Sequence, residues 1–389
     1  MKPKEYLTNR NFCPVPWTGI MYNFDGDIKT CIRSSKSIGN IKNNTIEEIL
    51  QNEKSVDTRQ RMLDNLPGQR CNPCYEIEQK ENKFDIISDR VFYLRELKSI
   101  PLETYNSKDN FDLQKIDIRW TNLCNFKCVY CGPDFSSLWA NELGTKVDVP
   151  SDEQREQFKN YIFQHIRGLK HVYLAGGEPL LMKENEELLT ELLEVNPDVS
   201  LRINTNLSHT STQVFDLACK FKNVHWIVSA ETMGEEYEYI RYGGSWATFC
   251  SNLRKVKDLG HKVTFNMLYF ILNAFSMFDF IDKFRTDWNI HPNAFVVGPV
   301  LTPEYLNIRH LPDNVLQLAK EELQKRINER PGHLLENGYR NLLRYIEQPF
   351  EKNLAETFKQ LAVMDARRGI DSSKIFVDLY KENKHGKTV

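Results

Sequence analysis

The chain lacks any run of residues long and apolar enough to span a bilayer. Its most apolar stretch, Phe265 to Phe280, is broken by Asn266, Asn273, Ser276 and Asp279, whereas a membrane helix needs about 20 mostly apolar residues. The charged start MKPKEYLTNRNF is not followed by an apolar segment, so no export signal is expected and the cytoplasm is the expected compartment. An excess of one charge is also missing. Lys and Arg number 51 against 53 Asp and Glu, which gives no general attraction to nucleic acid. Neither a membrane nor a nucleic acid is therefore expected as a partner. Low-complexity tracts are absent, and no repeat exists beyond an alternation of strand and helix patterns.

Cysteine is the informative residue. Nine are present, an odd number that argues against a disulfide framework and, in a cytoplasmic chain, for metal or redox chemistry. Cys13, Cys31, Cys71 and Cys74 lie in the first part, and Cys124, Cys128 and Cys131 share one short loop. Cys219 and Cys250 stand alone in helical patterns and read as small buried hydrophobes.

With 41% hydrophobic and 27% charged residues over 389 positions, the chain can build a large core and is long for one ordinary domain. Six short apolar runs, KIDIRW (115–120), HVYLAGG (171–177), SLRINTN (200–206), VHWIVSA (224–230), KVTFNMLYF (262–270) and NAFVVGPVL (293–301), alternate with amphipathic stretches. Ser151 and Gln154 form a capping box opening the first of these helices. This alternation predicts a parallel sheet wrapped by helices, with ligands at the carboxyl ends of the strands.

Residues 1–100 read differently. Asp25-Gly26 between alternating runs signals a two-residue hairpin, Thr45 and Glu48 cap a short helix, and a Cys-x-x-Cys follows at Cys71 and Cys74. This is expected to be a small, metal-stapled module with no core of its own. The polar stretch 101–110 reads as a linker. Residues 112–305 hold the strand–helix repeats, and 306–389 turn all-helical.

The loop Cys124-Asn125-Phe126-Lys127-Cys128-Val129-Tyr130-Cys131 places three thiolates directly after a strand. Cysteine thiolates are the usual ligands of iron–sulfur clusters, and three of them leave one iron of a cubane open to a chelating group. The spacing, with an aromatic before the last cysteine, resembles the signature of the radical S-adenosylmethionine (radical SAM) superfamily over residues 115 to 300. The resemblance implies an α/β fold with a partial (β/α)6 barrel, a [4Fe-4S] cluster on Cys124, Cys128 and Cys131, and SAM chelated at the open iron. An electron from the cluster would cleave SAM to a 5′-deoxyadenosyl radical that abstracts hydrogen from the substrate. An electron donor such as flavodoxin or ferredoxin is implied as a partner.

Further positions carry the resemblance. Gly176-Gly177-Glu178-Pro179 is similar to the family's GGEP turn, whose backbone and Glu178 would bind the SAM amine. Asn204 and Asn206, with Ser229 and Glu231, match the strand-end positions that hydrogen-bond the ribose and methionyl groups. Many relatives have Asp where Glu231 stands. Arg241 matches an arginine for the SAM carboxylate, and Tyr130 would lie near the adenine. Cys13, Cys31, Cys71 and Cys74 resemble the SPASM/twitch auxiliary-cluster module, which usually follows the barrel and here precedes it. Four thiolates suffice for one fully ligated [4Fe-4S] cluster, and from spacing alone they also suit a structural zinc. The implied substrate is a peptide or protein side chain, with a small molecule such as a sugar or nucleotide as the alternative. A non-catalytic zinc or iron–sulfur module is the contrasting class.

Overall fold

A computed structural model describes residues 9–79, 88–96, 105–329 and 332–385. The first eight residues and positions 101–104 of the expected linker lie outside the described residues. Among the described residues the strands are β1 Gly19–Tyr22, β2 Asp27–Lys29, β3 Gly39–Asn40, β4 Lys115–Ile118, β5 Lys127–Cys128, β6 His171–Leu174, β7 Ser200–Thr205, β8 Val224–Ser229, β9 Arg241–Tyr242, β10 Lys262–Tyr269 and β11 Phe295–Pro299. All six apolar runs of the barrel region form strands. The α/β class is thereby observed, with a small cysteine-bearing module first and helices last. No described helix is long and apolar enough to cross a membrane.

The chain packs as two compact units. The first comprises residues 1–123, 144–204 and 209–225 and the second residues 124–143, 205–208 and 226–389.

In the first unit the strands are hydrogen-bonded in the order β7–β6–β4–β1–β2–β3. β1, β4, β6 and β7 run parallel, and β1–β2–β3 form an antiparallel edge. A hairpin is present, but its loop is one residue longer than the two expected: Tyr22 pairs with Ile28 and the Asn23 amide donates to Asp27 O at 3.0 Å, leaving Phe24, Asp25 and Gly26 as the loop, with Gly26 at φ +87°, a left-handed conformation that glycine adopts without steric cost. β1 adds a feature the sequence does not announce, since it pairs with β4 in register Gly19 with Lys115. The cysteine module is therefore continuous with the main sheet. It also has apolar packing of its own around Phe12, Trp17, Met62, Leu94 and Tyr105, against the expectation of a module without a core.

One face of β4, β6 and β7 carries Ile116, Ile118, Val172, Leu174, Leu201 and Ile203, each at most 1% exposed. Burial of such a side chain contributes roughly 1.5–3 kcal/mol, so this face anchors the unit. The helices Asp152–His165 and Lys183–Val195 follow, the first opened by the expected capping box of Ser151 and Gln154.

In the second unit β11, β10 and β8 are neighbours, and a small sheet pairs β5 with β9. Phe265, Phe280, Phe284 and Phe295 pack as edge-on and stacked rings beneath β10 and β11. The C-terminal region supplies the helices Asp313–Glu329, Leu334–Ile346 and Leu354–Arg368. Cys219 and Cys250, expected to be buried, are both half-buried.

Candidate functional site

The cysteine loop in the second unit is built around the β5–β9 pair. Cys128 sits opposite Arg241 in that pairing, and the Val129 amide donates to Ile240 O at 2.8 Å. A Cβ on Gly243, which takes φ +105°, would stand 2.8 Å from Asn125 O, so glycine there lets the two segments meet. Several side chains fix the loop's backbone. Trp139 Nε1 donates to Cys128 O at 2.9 Å, Ser136 Oγ to Phe126 O at 2.6 Å, and Arg368 Nη2 to Lys127 O at 2.8 Å. Arg368 comes from the far C-terminal helix and also lies 4.6 Å from the Tyr242 ring. No sequence signal marked Arg368, Trp139 or Ser136.

Asn206 reaches the same loop. Its Nδ2 donates to Asn125 Oδ1 at 3.0 Å, Asn125 Nδ2 donates to Ser208 Oγ at 2.9 Å, and the Ser208 amide returns to Asn206 Oδ1 at 2.9 Å. Asn125 and Ser208 thus join Asn206 in one hydrogen-bond network at the loop, which the sequence alone did not single out. Ser229 ends β8 and Asn204 lies one residue before the end of β7.

Tyr130, Glu231 and Arg241 are brought together. The Glu231 carboxylate, 1% exposed, accepts from Arg241 Nε at 2.8 Å and Nη2 at 2.5 Å and from the Tyr130 hydroxyl at 3.0 Å. Arg241 Nη1 also approaches Cys128 Sγ at 4.0 Å. Burial works against the Arg241 charge, but Glu231 outweighs it, and the guanidinium stays protonated. Burial raises the Cys128 thiol strongly while Arg241 pulls it back. A buried thiol beside a fixed cation and two further cysteines suits a metal-bound thiolate.

The Gly176–Glu178 turn belongs to the first unit. Gly176 takes φ +122°, and a Cβ on Gly177 would fall 2.2 Å from Leu123 O. The Glu178 amide donates to that same carbonyl at 2.7 Å. The turn is thus locked to the segment that runs directly into Cys124. Glu178 is fully buried, and its Oε1 caps the Leu180 amide at 3.1 Å.

The four N-terminal cysteines line one small cavity of the first unit, with Arg33, Asp89, Arg90 and Tyr93. Cys71 and Cys74 are joined by a turn in which the Cys74 amide donates to Cys71 O at 3.1 Å. Burial, then the neighbouring Cys31 and Cys74, pushes the Cys71 thiol up to about 12. Burial, then Cys71 and Cys31, raises Cys13 further. Four thiols that resist ionisation together would give up their protons to a cationic centre bound among them. Among the described residues, neither cysteine set converges as ligands of a single ion would.

Comparison with known proteins gives two family matches. Residues 118–282 match the model of the radical SAM superfamily, and residues 13–75 match the SPASM iron–sulfur cluster-binding domain. Residues 118–282, about two fifths of the chain, are thus similar to the radical SAM superfamily. The residues that match the SPASM iron–sulfur domain precede those that match the radical SAM model. Among curated relatives, the GTP 3′,8-cyclase of Campylobacter lari is 26% identical over 164 residues, covering 42% of this chain and 48% of that protein. That of Sulfurimonas denitrificans is 25% identical over 169 residues, covering 41% and 49%. The chain thus spans about half the length of these relatives. Streptococcus suis SuiB, crystallised with S-adenosylmethionine, overlaps 72% of this chain and 64% of its own at 17% identity and a TM-score of 0.41.

Proposed function

We propose that this protein is a radical SAM enzyme that reductively cleaves S-adenosylmethionine and removes a hydrogen atom from a substrate. Cys124, Cys128 and Cys131 would hold a [4Fe-4S] cluster, and Cys13, Cys31, Cys71 and Cys74 an auxiliary one. When bound, the first cluster supplies the electron that breaks a carbon–sulfur bond of SAM, releasing methionine and the adenosyl group that takes up the hydrogen atom.

The observation that carries this reading is the convergence of Tyr130, Glu231, Arg241 and Asn206 on the Cys124–Cys131 loop, within the matched family region. Arg241 and Glu231 fix each other and hold a permanent positive charge beside Cys128. Asn206 orients Asn125 within the loop. Glu178, in its glycine turn, provides the carboxylate for the SAM amine, a pairing that suits an ammonium. The auxiliary module, with no thiol ligand missing, serves electron transfer or structure. An electron donor such as flavodoxin or ferredoxin completes the reading.

The substrate is either a peptide or protein side chain or a small molecule such as a sugar or nucleotide. The names of the curated relatives support the small-molecule class. The test is anaerobic incubation of reconstituted protein with SAM and dithionite. 5′-Deoxyadenosine and methionine are expected in equal amounts, and their absence from iron-replete protein would contradict the proposal.

A further inference from the structure

A parallel sheet covered on both sides is ordinarily apolar on both faces. In the first unit only one face of β4, β6 and β7 obeys that rule. The registers Lys115–His171–Ser200 and Asp117–Tyr173–Arg202 place these residues side by side on the opposite face, with Arg119 one step beyond Asp117. Three adjacent strands thus present charged and polar side chains where packing alone would select Val, Ile or Leu. Lys115 and Asp117 are buried, and Arg119, His171, Tyr173 and Arg202 are half-buried, so polar groups on this face are largely withdrawn from water and call for polar partners.

The charge on this face is unbalanced. Among the described residues, Lys115, Arg119 and Arg202 share this face with one carboxylate, Asp117; a second, Asp89, acts on Asp117 and Tyr93 and is itself paired with Arg33. Asp117 is engaged by Arg119, whose Nη1 stands 2.6 Å from the Asp117 Oδ1. Among the described residues, no carboxylate lies within ion-pair distance of Arg202, whose guanidinium rests 5.3 Å from the Phe92 ring. Lys115 Nζ lies 4.1 Å over the Tyr93 ring. Tyr173, between Arg119 and Arg202 on the middle strand, is held in its protonated phenol form mainly by burial and is a further donor. His171 registers the same positive field: burial, then Arg202 and Lys115, lowers it to about 4. It therefore contributes no compensating or additional charge near neutrality.

We propose that this face binds an oxyanion of the substrate, a phosphate or carboxylate group, with Arg119 and Arg202 as its cationic ligands and Tyr173 as a donor between them. Guanidinium forks match the oxygens of either group and bind them in pairs. The inference rests on the function proposed above in placing the substrate on this face, and it narrows the substrate to an anionic molecule or residue.

The test uses the full chain, anaerobically reconstituted and saturated with SAM so that the carboxylate of SAM does not compete. Inorganic pyrophosphate and malonate serve as separate calorimetric probes for the two oxyanion classes. Arg202→Gln is the informative variant, because Arg119→Gln would leave buried Asp117 unpaired and risk misfolding. Binding of at least one probe, weakened tenfold or more by Arg202→Gln and less by Arg202→Lys, is expected. Lys222→Gln, at an exposed pair with Asp198, should leave it unchanged. Failure of both probes to bind, or equal affinity in wild type and a folded Arg202→Gln variant, would overturn the proposal. SAM cleavage by wild-type protein, measured in parallel, reports on the proposed function independently.

Discussion

Replacing Arg241 with Met removes one half of a buried ion pair. In the native protein the Glu231 carboxylate accepts two hydrogen bonds from Arg241 and one from the Tyr130 hydroxyl, with 1% of its surface exposed. Without the guanidinium, that carboxylate keeps only a neutral phenol donor in a site water does not reach. Breaking a buried pair in this way costs about 3–5 kcal/mol, most of it the penalty of an uncompensated charge. The double variant Glu231→Gln/Arg241→Met removes the charge as well, while the Gln oxygen still accepts from Tyr130. Its cost should be about 1 kcal/mol or less, giving a coupling of at least about 2 kcal/mol between the positions. Pulse proteolysis of anaerobically reconstituted protein across a urea series measures the four stabilities of the cycle: wild type, Arg241→Met, Glu231→Gln and the double variant. A loss under about 1 kcal/mol for Arg241→Met, or a double variant as unstable as Arg241→Met, would refute this account of the pair.

Three other perturbations follow from the same geometry. Glu178→Gln keeps an oxygen to cap Leu180 but loses the charge, so SAM binding should weaken by about 1–3 kcal/mol in calorimetric titration; unchanged affinity would remove Glu178 from the SAM site. Arg368→Ala deletes donors to Lys127 O and Tyr239 O and should lower the iron retained per chain after reconstitution, whereas wild-type iron content would show that the Cys124 loop stands without it. His171 has a folded pKa of about 4 against its ordinary 6.5. The unfolded chain therefore takes up a proton first as pH falls. Stability from the neutral ring is complete above pH 6.5 and is lost between 6.5 and 4, to a limit of about 3 kcal/mol. His171→Asn should flatten the stability–pH profile in that window, and an unaltered slope would contradict it.

The parts of the fold legible in the sequence are those set by local pattern. The six strands and both capping boxes rest on periodicity and spacing within a few residues and form as read, while the hairpin at Asp25-Gly26 forms with a three-residue loop in place of the two-residue turn. What escaped reading is non-local. The parallel pairing of β1 with β4 joins residues almost 100 positions apart, and nothing in GIMY distinguishes an isolated hairpin strand from one that extends a sheet. Arg368 reaches Lys127 across 241 positions. Tyr130, Glu231 and Arg241 were each legible as separate strand-end or loop residues, but their mutual hydrogen bonds depend on the β5–β9 pairing, two residues long on each side. The polar alternation of KIDIR and SLRIN was in plain view. It gains meaning only when register places Lys115, Asp117 and Arg202 on one face.

The central claim is that Cys124, Cys128 and Cys131 hold a cluster with an iron open to SAM, while Cys13, Cys31, Cys71 and Cys74 hold one without. Electron paramagnetic resonance of dithionite-reduced protein, recorded with and without SAM, tests it directly, using wild type and the Cys124→Ala/Cys128→Ala/Cys131→Ala variant. The expected result is a wild-type signal whose g values move on adding SAM. The variant should retain iron and sulfide for about one cubane per chain, with a spectrum that SAM leaves untouched. A wild-type signal indifferent to SAM would contradict the claim for the Cys124 loop, and a colourless variant binding one zinc would contradict it for the N-terminal module.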